Sequence, residues 1–197
     1  GVFIGLGGML GYVSFIVELI PRAVLAPILI FVGMEIVTQA FVHSPARHIP
    51  AVVFAMFPTV ARLVAIQLET PEIVPSANLQ HLVNKVGATL PEALVTIAVG
   101  NGFILTGMLW GAFLAEMINR RLKICSIYLV ILAGLTFFGL VHSSSPDAGV
   151  YLPWLLTGTA QHIPYQFGLS YLVLAALMFV LSYTRGGKEP PPFESSR

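Results

Sequence analysis

The chain has 197 residues, 56% of them hydrophobic and 10% charged, with a formal net charge of +1. Soluble domains carry about 25% charged residues, so this composition cannot build a water-facing shell, and with no long basic run it offers no nucleic-acid surface. Cys125 is the single cysteine, which rules out an internal disulfide or a multi-cysteine metal site.

The apolar residues come in blocks long enough to cross roughly 30 Å of hydrocarbon at about 1.5 Å per residue. Blocks at residues 2–20, 23–42, 51–68, 92–118, 124–142 and 165–184 predict an all-α membrane protein of about six transmembrane helices. The chain opens on Gly1, inside the first block, without the basic start or small-residue cleavage site of a signal peptide, and reads as the C-terminal portion of a longer protein.

The first block is crowded with Gly1, Gly5, Gly7, Gly8 and Gly11, and the fourth carries Gly107 and Gly111. Such spacings let helix backbones approach closely in lipid, which favours packing over a ligand role. The second block holds Glu35 beside Gly33 and one turn before Gln39, and the third, returning antiparallel, holds Arg62. An ionised carboxylate at that depth costs on the order of 3 kcal/mol and calls for compensation. Glu35 and Arg62 are therefore read as a candidate intramembrane polar pair, with separate snorkelling to water or a headgroup as the plainer alternative, and proton or substrate handling as the functional one.

Pro27 and Pro58 interrupt the second and third blocks, and Gly100-Asn101-Gly102 is a candidate break in the fourth. Transporters loosen helices in this way near a pathway, and ordinary membrane-helix kinks do the same. The intervening segments Ser44 to Arg47, Thr70 to Leu90, Asn119 to Lys123 and Ser143 to Asp147 read as loops, with His81 to Leu90 short and apolar enough to lie along an interface. Tyr151, Trp154, Tyr165 and Phe167 gather before the last block as an aromatic belt. The proline-rich tail from Gly186 to Arg197 is expected to be disordered.

Lys and Arg divide unevenly between alternate loops. One side takes Arg47, Arg120, Arg121, Lys123, Arg185, Lys188 and Arg197, the other Arg22 and Lys85, so both ends are expected on the cytoplasmic side of a cell membrane. His43, His48, His81, His142 and His162 are scattered without zinc-ligand spacing and read as solvated or interfacial. No nucleophile elbow, phosphate loop or carboxylate pair appears, so neither an enzyme nor a cofactor or metal is expected.

The run from Leu19 through Ile20-Pro21-Arg22-Ala23-Val24-Leu25-Ala26-Pro27 to Gly33 resembles the linker and following helix of the xanthine/uracil permease family, the nucleobase and ascorbate permeases. The continuation through Gln39-Ala40-Phe41, Pro45, Ile49-Pro50-Ala51-Val52 and Pro58-Thr59-Val60-Ala61 is similar to that family's next helix, so the likeness spans about residues 1–70. It implies an inverted-repeat transporter with a core domain and a gate domain. Residues 1–20 would be the last core helix, 21–118 the gate helices, 119–184 two additional helices and 185–197 a cytoplasmic tail. The implied activity is symport of a purine, pyrimidine or similar small solute with a proton or sodium ion by alternating access, these helices supplying gate surface and a candidate homodimer contact. Substrate ligands would lie upstream, so none is assigned here. A sulfate/dicarboxylate-type anion permease of the same fold is the first alternative, and a small membrane scaffold or intramembrane enzyme the second.

Overall fold

The computed structural model describes residues 2–9, 11, 22–69, 92–144, 150–156 and 158–184. Among them are seven α-helices and no strand: α1 (Val2–Met9), α2 (Arg22–Val42), α3 (Ile49–Glu69), α4 (Glu92–Gly100), α5 (Phe103–Ile118), α6 (Leu122–Phe137) and α7 (His162–Thr184). The loop read at Thr70 to Leu90, the tail from 185, and Asp147 in its serine-rich loop lie outside the described residues.

The chain divides into two compact units, residues 1–45 and 46–197. The boundary falls inside the stretch 21–118 assigned to the gate. In the first unit, α2 is 21 residues long with Pro27 inside it, and its side chains from 27 to 40 are exposed. Gly5, Gly8 and Gly11 have open space where a side chain would begin, so the close approach expected of them is not made within the described residues.

In the second unit α3 packs along α4 and α5, α5 along α6, and α6 along α7. Here the small-residue reading holds. A Cβ on Gly107 would lie 2.6 Å from the Ala55 carbonyl oxygen, and one on Gly111 3.0 Å from the Ala55 Cβ, so α3 and α5 meet backbone to backbone. One core gathers Leu129 and Leu132 of α6, Val141 of the loop after it and Ala175 of α7, packed by Leu109, Trp110 and Phe113 of α5. A second joins Leu94 and Ala98 of α4 to Ile163 and Phe167 of α7.

Among the described residues two helices are long and apolar enough to cross a membrane, Ala46–Leu68, which includes the short 3-10 turn before α3, and His162–Thr184. The expected fourth span is instead two helices, α4 and α5, bent 85° at a break, and counts as a third span only if the pair is taken together. The expected fifth span contracts to a shorter apolar helix, Leu122–Phe137, while the second keeps its length as α2, of which the stretch from Pro27 to Val42 counts as a shorter apolar helix. The cause at α6 is local: Gly139 takes φ +74°, the amide of Leu140 donates to the Leu135 carbonyl and that of Gly139 to the Thr136 carbonyl, the bond pair that stops a helix. At 16 residues α6 runs about 24 Å, short of the hydrocarbon thickness.

Gly107→Ala is expected to destabilise the protein by about 1–3 kcal/mol, because backbone must move aside for one methyl. Gly134→Ala, with open space at its Cβ, should be neutral or stabilising by up to about 1 kcal/mol. Thermal unfolding of the two variants in detergent checks the contrast.

Candidate functional site

The break between α4 and α5 is the place where polar side chains converge. Gly102 stands at φ +71°, and a Cβ there would sit 2.5 Å from the Leu140 carbonyl oxygen. On the other side, a Cβ on Gly100 would sit 2.8 Å from the Arg62 Cα. The two glycines thus admit α3 on one side and the 138–144 loop on the other, while the residue between them does the bonding.

Asn101 is 1% exposed. Its amide donates to the Ile97 carbonyl at 2.9 Å and closes the last turn of α4, and its own carbonyl accepts from the His142 amide at 3.2 Å. Its side-chain Oδ1 accepts from Arg62 Nη1 at 3.2 Å, and its Nδ2 donates to the Ser143 carbonyl at 2.9 Å. The orientation of the carboxamide follows from chemistry, since a guanidinium can only donate and a carbonyl only accept. Four hydrogen bonds from one residue join α3, α4 and the loop after α6.

His142 continues the network. It is fully buried with φ +56°, and Nε2 lies 2.7 Å from the Tyr171 hydroxyl, which also accepts from Trp110 Nε1 at 2.9 Å. The Ala98 carbonyl beside Nδ1 can only accept, which favours the imidazole proton on Nδ1 and leaves Nε2 to accept from the Tyr171 hydroxyl. Nδ1 is directed towards the Ala98 carbonyl, in a geometry too poor for a well-formed hydrogen bond. The ring is packed by Phe167, with centroids 4.7 Å apart, and Phe54 of α3 stacks on Trp110 at 5.0 Å. Helices α5 and α7 are thereby tied to one imidazole.

The residues singled out in the sequence distribute as follows. Asn101 with its flanking glycines is a true break, and Arg62 is brought to it. Glu35 belongs to the first unit, where its Oε1 accepts from Gln39 Nε2 at 2.8 Å, one helical turn away. The proposed partners Glu35 and Arg62 thus each have a neighbour within their own unit. Of the histidines, His43 and His162 are exposed, His43 bonding the Gln39 carbonyl, and His48 is half-buried against Asn119; His81 lies outside the described residues. The solvated reading of His142 is overturned by its burial.

The four aromatics read as a belt divide by exposure. Trp154 and Tyr165 are exposed, whereas Tyr151 covers Gly139 and Phe167 covers His142. Sequence reading missed Trp110, Tyr171 and His142 as one group. The signal was available in type rather than spacing: Trp and Tyr inside apolar helices carry a donor that needs a partner.

Among the described residues no three His, Cys, Asp or Glu side chains converge as a metal site would require. An open cleft of about 490 Å³ lies elsewhere, lined by Phe138, Val150, Tyr151, Leu152, Leu155 and Leu156, without converging charges. Compared with known proteins, no family model matches the sequence, and no curated protein and no solved structure matches it.

Tyr171→Phe removes the hydroxyl that serves both Trp110 and His142, and each buried group so orphaned costs about 1–3 kcal/mol. Ser170→Ala, whose hydroxyl bonds the Gln166 carbonyl on the exposed side of the same helix, should stay within about 0.5 kcal/mol. A thermal midpoint for Tyr171→Phe well below both wild type and Ser170→Ala is the expected result, read by unfolding in detergent.

Proposed function

We propose that this chain is the gate-side portion of a secondary active transporter, moving a nucleobase-like solute with a proton or sodium ion across a membrane by alternating access. The observation that carries the reading is the 85° break in an apolar helix, held by the buried Asn101 and flanked by the membrane-length helix that bears Arg62. Broken helices with irregular backbone are tolerated at membrane depth where they are enclosed by protein or line a pathway, and transporters use them to join moving parts.

The solute class rests on the resemblance of residues 1–70 to the xanthine/uracil permeases. The arrangement around Asn101 favours a structural part of a gate over a binding site, because its donors and acceptors are engaged by Arg62, Ile97, His142 and Ser143. No substrate ligand is therefore assigned to these residues. An anion permease of the same architecture is the competing reading, and the same experiment separates them.

Cells expressing the whole protein are expected to accumulate a radiolabelled purine or uracil, and to lose that uptake when the proton and sodium gradients are collapsed. Gradient-dependent uptake of sulfate alone would select the anion permease, and uptake of none of these would overturn the transport proposal. In the same assay Glu35→Gln tests solute or proton handling by that carboxylate: unchanged expression and unchanged uptake would leave it a structural role only.

A further inference from the structure

We propose that one end of the second unit, built from the 3-10 turn Ala46–His48, the turn between α5 and α6 and the last turn of α7, is a docking site for the phosphate headgroups of an anionic lipid leaflet. The cations are Arg47, Arg120, Arg121 and Lys123, all exposed. Arg120, Arg121 and Lys123 are neighbours in sequence, and folding adds Arg47: the His48 ring donates from Nε2 to Asn119 Oδ1 at 2.9 Å, which sets the turn carrying Arg47 against the turn carrying Arg120 and Arg121. Among the described residues the acid at this end is Glu116, half-buried and 3.7 Å from Arg121, so the described cations outnumber the described acid. Lys123 Nζ lies 5.3 Å from the centre of the exposed Tyr183 ring near the end of α7, an aromatic placed as interfacial tyrosines are, where headgroups meet hydrocarbon.

The backbone adds an observation that packing does not explain. Helix α5 ends in the same bond pair as α6, with the Arg121 amide donating to the Glu116 carbonyl and the Arg120 amide to the Met117 carbonyl. At α6 the left-handed position is filled by Gly139, as this turn prefers. At α5 it is filled by Arg120 at φ +59°, a conformation in which a side chain is unfavourable. The arginine thus occupies a position where glycine would give the more stable turn. Its side chain is exposed beside the other cations, and an anionic surface is the partner that their charge and the neighbouring Tyr183 fit. Phosphate diester is the chemistry recognised, with the bilayer as its source.

The test uses the intact protein, reconstituted in mixed phosphatidylcholine and phosphatidylglycerol, extracted gently, and examined by native mass spectrometry for the lipids it keeps. Wild type is expected to retain phosphatidylglycerol over phosphatidylcholine, and each cation removed in Arg120→Gln and Lys123→Gln should lower that preference about fivefold. Arg120→Gly separates binding from folding, since it should raise the thermal midpoint in neutral detergent while lowering phosphatidylglycerol retention. Retention by these variants equal to wild type would overturn the proposal. So would displacement of the lipid by inorganic phosphate beyond that caused by chloride at equal ionic strength, which would make free phosphate the ligand.

Discussion

A helix that stops and turns in apolar surroundings leaves backbone donors and acceptors that no water can satisfy, and the bundle is organised around meeting that requirement at Asn101. With one side chain and one peptide unit, this residue closes the end of α4, holds Arg62 of α3 and fastens the loop after α6 through the His142 amide and the Ser143 carbonyl. The flanking glycines follow from it, because Gly100 must pass against the α3 backbone and Gly102 against the Leu140 carbonyl. So does the placement of His142, which is delivered between Phe167, Tyr171 and Trp110 once the loop is fixed.

The distribution of polarity is the one an apolar solvent would favour. Phe31, Leu63, Met108 and Val173 are more than half exposed, while Asn101, Thr106, Thr136, His142 and Ser143 are buried. Between helices that cross a bilayer, burying more apolar surface gains little, and close backbone approach and hydrogen bonds carry association. Gly107 and Gly111 against Ala55 supply the first, and the Asn101 and His142 networks the second.

Much of this was legible in the sequence, with a pattern to what was not. Uninterrupted apolar blocks located every described helix, and Gly100-Asn101-Gly102 located the break, because two glycines around a carboxamide are a poor helix and a good turn. The angle and the closure were not legible, since Ser143 and Arg62 stand about forty residues away on either side and reach Asn101 only through the fold. Helix lengths were overread where hydropathy continues past a stop signal: residues 138–142 are mostly apolar, yet Gly139 turns the chain at Phe138. His142 misled for the same reason, as a polar residue at the end of an apolar block followed by serines resembles an interface. Glu35 and Arg62 belong to different units; within its own unit Glu35 accepts from Gln39, one turn away and legible in helical spacing, and Arg62 donates to Asn101, 39 residues on, which only tertiary structure brings near.

The central claim, that the break is sealed by Asn101 and the 138–144 loop, is tested most directly by hydrogen exchange of that loop in the folded protein. Its amides lie outside any helix, yet the account predicts protection at His142 comparable to the middle of α6, lost selectively in Asn101→Ala while α6 itself stays protected. Exchange of the His142 amide at the rate of an open loop in the wild-type protein, or no change on removing the Asn101 side chain, would contradict it.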